Sequence, residues 1–174
     1  KPKDGGHRGE INNQITAGNV DGSNFAVPGY LDWLDTIGFD GEGVIMAVVD
    51  GGTDENHPDL AGRFLPCVGD TCGGSSCSDH GTHCAGAMAG TGASGTSSGG
   101  FLRALGMAPG SDMIEQVYSP TFTQTGGMFK LIKESNDNDA VLSSNSWGPS
   151  GSPQGYDSDT MQVDQGALDA DPNT

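Results

Sequence analysis

An α/β fold built on a parallel sheet is predicted by three observations. Apolar runs of strand length alternate along the chain with stretches of helical periodicity. The first such run, Val44-Ile45-Met46-Ala47-Val48-Val49, is apolar throughout, as a strand covered on both faces must be. It ends in Asp50-Gly51-Gly52, a carboxylate at the carboxyl end of a strand, where open α/β sheets keep their chemistry. Strands alternating with helices imply right-handed crossovers and helices on both sheet faces.

Taken in order, residues 1–29 are polar, rich in Gly and Asn and without sustained periodicity, and read as an irregular arm ahead of a domain spanning 30–174. Leu31, Trp33, Leu34 and Ile37 form an apolar stripe at helical spacing, closed by Gly38, for core packing. Val44 to Val49 is the first strand, about His80 to Met88 a helix of small residues, and Met113 to Tyr118 the second strand. Met128 to Glu134 follows as helix and Val141 to Ser144 as strand. Gly92 to Gly100, rich in Gly, Ser and Thr, reads as a surface loop. After Trp147 a Gly/Pro/Ser loop leads to a short helical pattern holding Val163 and Leu168, beyond which a further strand is expected. Without it the sheet keeps an apolar, unpaired edge, which favours aggregation or pairing with another chain.

The 174 residues are one domain by length, and a domain of that size buries roughly 70% of the surface its unfolded chain exposes. Seven basic against twenty-three acidic side chains give a net charge of −16, which argues against nucleic acid or an anionic membrane as partner, since both require Lys/Arg clusters. No apolar run approaches the roughly 20 residues that cross a bilayer. The start, Lys1-Pro2-Lys3, has neither Met nor an apolar signal region and reads as the processed start of a secreted protein.

Asp79-His80-Gly81-Thr82-His83-Cys84-Ala85-Gly86 places a histidine at the opening of the small-residue helix. Imidazole can remove a hydroxyl proton and later return it near neutral pH, provided that a carboxylate on the ring's far side holds one tautomer and stabilises the cation. His80 is therefore the candidate base and Asp50 the candidate orienting residue.

Together with His57-Pro58-Asp59-Leu60, Gly106-Met107-Ala108-Pro109 and Asn145-Ser146-Trp147-Gly148, these segments resemble, in order and spacing, the first half of a subtilisin-like serine peptidase. The resemblance implies a three-layer, doubly wound parallel sheet of the subtilisin type, incomplete in this chain. It also implies a secreted, extracellular endopeptidase. The family's order is Asp, His, Ser, and the Ser motif does not occur within these residues, so a complementing carboxy-terminal chain or segment is expected to supply the nucleophile. Alone, this chain should be inert. Ser146, Trp147 and Gly148, with Gly100 opposite, match positions that bind an extended polypeptide substrate by added strand. His83 is read as supporting the helix and His57 as part of a turn. Asp59 matches a frequent calcium ligand and equally suits a turn; the chemistry itself requires no cofactor. Gly95-Thr96-Ser97-Ser98 imitates a nucleophile motif, but it lies between the His80 helix and Gly106, without the Pro that should follow.

Cys67, Cys72 and Cys77 lie on a Gly/Ser-rich loop, and two of them are expected to form a bridge with the third left over; which two stays open. Cys84 matches an unpaired buried cysteine of several relatives. Two other readings compete: a non-catalytic scaffold that binds extended peptides in the same groove, and a zinc module on Cys67, Cys72, Cys77 and His80.

Overall fold

The computed structural model describes residues 9–74, 77–148 and 155–169. The beginning of the expected arm, most of the loop after Gly148 and the last five residues lie outside them. The chain divides into two compact units, the first made of Lys1–Val44, Glu55–Arg63 and Ala85–Asp112, the second of Ile45–Asp54, Phe64–Cys84 and Met113–Thr174.

The second unit carries the sheet, in the order β4-β1-β5, from β1 (Ile45–Asp50), β4 (Asp112–Val117) and β5 (Leu142–Ser144). Central β1 is buried from Met46 to Asp50, which is why its sequence is apolar without alternation. It pairs in parallel with β5 in the register Met46↔Leu142, Ala47↔Ser143, Val48↔Ser144. Ala47 and Val49 share one face and pack with Ile114, Leu131 and Ala140. Helix α4 (Gly127–Asp137) brings Leu131 onto this face, and α5 (Ser158–Asp169) lies against α4 closely enough that a Cβ at Gly166 would meet Ile132 at 2.9 Å. Gln162 of α5 accepts the Met128 amide at 3.1 Å, so α5 closes the open N-terminus of α4. The α/β class and parallel pairing match the expectation from sequence. Among the described residues the outer edge of β5 has no partner strand, and Val141 and Leu142 beside it are exposed.

The first unit holds α1 (Glu10–Ala17), α2 (Tyr30–Ile37) and the β2–β3 hairpin, Ser97–Ser98 with Phe101–Leu102. Helix α1 lies inside the segment expected to be irregular. Its inward residues are Glu10, Asn13 and Gln14, so apolar periodicity carries no sign of it. Helix α2 forms and ends at Gly38 as expected, in a left-handed cap whose N–H bonds Leu34 O. Its buried side is Tyr30 and Leu34, with Leu105; Leu31 and Ile37 of the expected stripe are each 40% exposed. The loop expected from Gly92 to Gly100 contains β2.

Candidate active site

Every residue of the site described next belongs to the second unit. Asp50 is the last residue of β1 and only 4% exposed. Its Oδ1 accepts the Gly51 N–H at 2.7 Å, and its Oδ2 lies 2.8 Å from His80 Nδ1. A buried carboxylate requires such partners, and with Oδ1 taken by a backbone donor, Oδ2 is left to receive Nδ1–H. Nε2 then carries the lone pair, on a side chain 57% exposed. The arrangement is an oriented, solvent-facing base.

His80 reaches this position because α3 (Asp79–Ala89) starts correctly and approaches β1 closely. Ser78 caps the helix, its Oγ accepting the Gly81 N–H at 3.2 Å. At Gly81 a Cβ would stand 2.1 Å from Gly52 O and 3.0 Å from Asp50 Cβ, so only glycine lets the first turn rest on the strand end. Thr82 Oγ1 accepts the Asp54 N–H at 2.9 Å and donates to Ser78 O at 2.8 Å, fastening the loop after Asp50 to the helix. Gly81 and Thr82 stand next to the histidine in the motif, yet their contacts join distant segments and cannot be read from spacing.

Cys84, one turn beyond His80, is free, with Sγ 3.9 Å from Nδ1 and 4.0 Å from Nε2 of His80. Being nearly equidistant, the sulfur is aligned with neither ring nitrogen. Burial pushes its thiol above the usual range; Ser146 pulls the other way, and the Asp50 carboxylate adds to the rise. Asp50, His80 and Cys84 are the described residues whose ligand-type atoms converge, within 4.8 Å. The zinc reading on Cys67, Cys72, Cys77 and His80 is corrected, because Cys67 and Cys72 form a disulfide and have no thiolates to offer, and Cys77 is exposed and free.

Of the strand-end segment, Ser146 and Gly148 are exposed. Trp147 is half-buried and packs against the core: its indole N–H donates to Val49 O at 2.9 Å, and its ring stacks on Tyr118 at 4.6 Å and meets Phe122 edge-on at 5.6 Å. The indole thereby ties the segment after β5 to β1 one residue before Asp50. His83 is exposed on α3.

The first unit holds the other residues singled out by sequence. Asp59 is 2% exposed; its Oδ1 accepts the Ser94 N–H at 2.8 Å, and Oδ2 lies 3.6 Å from His57 Nδ1. That carboxylate anchors the loop at Ser94 to the turn at Asp59. His57 O accepts the Leu60 and Ala61 amides, the turn expected there. Ser97 opens the hairpin, and Gly100 holds its turn with φ at +90°.

The sequence pattern of the subtilase family matches residues 41–171. Among solved structures, a chain described as an S41 psychrophilic protease is similar at 25% identity with a TM-score of 0.49, the match covering 75% of this chain and 44% of that one. This chain thus spans less than half the length of that structure.

Proposed function

The chain belongs to the subtilase family, and from that premise we propose that it supplies the acid–base half of an Asp-His-Ser peptidase, with Asp50 and His80 in those roles. The observation that carries the reading is the 2.8 Å contact between a buried carboxylate and the Nδ1 of an exposed imidazole. Asp50 holds the tautomer. His80 Nε2 takes the proton of a serine hydroxyl as that oxygen attacks the scissile carbonyl, and the Asp50 charge stabilises the resulting imidazolium. When the bond breaks, Nε2–H passes the proton to the leaving amine; no cofactor enters.

The serine comes from a complementing polypeptide segment, for which the outer edge of β5, unpaired among the described residues, and the exposed Val141 and Leu142 are suitable ground. The substrate is an extended polypeptide lying along Ser146 to Gly148, held by main-chain hydrogen bonds. The enzyme is an extracellular endopeptidase, a setting that suits the Cys67–Cys72 disulfide.

The test is to treat the native protein with a fluorophosphonate and to weigh every polypeptide present by denaturing intact-mass spectrometry. A labelled species, protected by prior blocking of the site with a peptide aldehyde, is the expected result. If no polypeptide takes the label, the fold serves as a peptide-binding scaffold and the peptidase reading fails.

A further inference from the structure

A second buried carboxylate in the same unit stands behind the site. Glu115, in β4, is 6% exposed. Its Oε1 accepts the Thr53 N–H at 2.5 Å, and its Oε2 accepts the Gly74 N–H at 3.0 Å. Thr53 lies on the loop that leaves Asp50, and Gly74 on the stretch of chain that precedes Ser78 and His80. One side chain therefore bonds both the loop that leaves Asp50 and Gly74, four residues before Ser78, and its described hydrogen bonds go to backbone amides rather than to Asp50 or His80.

The chemistry of this fastening asks for glutamate. Two N–H donors from separate segments need two acceptor oxygens. A glutamine offers one oxygen and turns an NH2 toward the other donor, and an aspartate is one methylene short of spanning both. Burying a carboxylate is costly unless both oxygens are satisfied, so the position is specified by what it holds. The surroundings are shaped to it: a Cβ at Gly74 would meet Val117 Cγ2 at 3.0 Å and Glu115 Oε1 at 3.2 Å. On its other side the Asp50 loop is bonded to α3 through Asp54 and Thr82. The loop is thus gripped from the sheet by Glu115 and from the helix by Thr82.

We propose that Glu115 is a positioning residue for the Asp50–His80 pair, setting the separation of the two groups through its bonds to Thr53 and Gly74. The inference rests on the peptidase reading for its kinetic consequence but not for its geometric one. A displacement of about 1 Å in a reacting group can cost a factor of about 10² in rate, so losing one of the two bonds should be visible in turnover.

The experiment compares native protein carrying Glu115→Gln with wild type and with Glu134→Gln. Glu134 accepts the Thr71 N–H at 2.9 Å and the Thr71 hydroxyl at 2.6 Å, similar chemistry away from the Asp50 loop. Three quantities are read: kcat and KM on a peptide substrate, the melting temperature, and the downfield proton resonance of His80 Nδ1–H. E115Q is expected to lower kcat about tenfold or more with KM within about twofold, and to shift or broaden the His80 proton. E134Q is expected to lower the melting temperature while leaving kcat and that proton unchanged. Should E115Q fail to fold, Glu115→Asp keeps the charge, reaches one segment only and should show the same signature. Wild-type kcat and an unmoved His80 proton in E115Q, or in E115D where E115Q does not fold, would overturn the proposal. If the wild-type protein takes no fluorophosphonate, the peptidase reading fails alone, and the proton resonance still decides the role of Glu115.

Discussion

His80 works only as part of a pair, because an exposed imidazole without Asp50 would populate both tautomers, including the one that carries a proton instead of a lone pair at Nε2. Asp50→Asn preserves the shape but donates or accepts at the wrong atom, and in the complete protein it should lower kcat about 10⁴-fold with little change in melting temperature. Steady-state kinetics beside a thermal melt checks this; a loss under about tenfold would remove Asp50 from the mechanism. Gly81→Ala puts a methyl group where Gly52 O stands, and since that oxygen belongs to backbone, the helix must lift off the strand end. Loss of fluorophosphonate labelling with α-helical circular dichroism retained is the expected outcome, and undiminished labelling would show that the contact relaxes without consequence. The two free thiols should differ as well. Burial raises the pKa of Cys84, so at pH 7.5 iodoacetamide should modify exposed Cys77 first, and the Cys84 rate should climb only as pH rises beyond the ordinary thiol range. Peptide mapping over time reads the order, and Cys84 reacting first would contradict the assigned direction.

Helix α1 is held by hydrogen bonds rather than by an apolar face. Glu10, 2% exposed, accepts the Gly29 and Tyr30 amides on Oε1 at 2.5 and 2.7 Å and the Leu102 amide on Oε2 at 2.5 Å. Asn13 donates to Leu105 O and Gly106 O. One carboxylate therefore joins α1 to the start of α2 and to the hairpin. Glu10→Ala strands three backbone donors and the Gln14 side-chain amide and should cost about 3 kcal/mol in urea-induced unfolding; a cost below about 1 kcal/mol would mean that water replaces the carboxylate. Helix α2 illustrates the same rule from the apolar side. Its stripe is legible as a helix, but the choice of Tyr30 and Leu34 as the inward pair follows from the Glu10 bond that places its first turn. In the second unit Gln116 is buried in strand β4, its amide donating to Thr71 Oγ1 and Leu131 O and its oxygen accepting from Ser135 Oγ at 2.6 Å, so both ends of this buried amide are matched donor to acceptor.

Across the whole chain the dominant quantity is the charge of −16. Self-repulsion of that size opposes compactness, and surface pairs such as Lys133 with Asp137 offset little of it. Raising ionic strength from about 0.01 M to about 0.15 M shortens the screening length from roughly 30 Å to roughly 8 Å and should raise the melting temperature. A scanning-calorimetry series in sodium chloride tests this, and a fall would mean that attractive pairs outweigh the repulsion.

Sequence alone determined the α/β class, the strand ending in Asp50, the small-residue helix opening at His80 and the family, because each of these is written in local pattern: an uninterrupted apolar run, a cap, a short motif. It also limited the disulfide to three cysteines on one loop. Which two join, Cys67 and Cys72, was decided by tertiary structure. So were the existence of α1, the packing of Trp147 against the core, the fit of Gly81 against Gly52 and the grip of Glu115 on two segments. All of these rest on atoms brought together from far along the chain, and what one backbone group finds opposite it depends on how the strands and helices pack, which no spacing along a single sequence records.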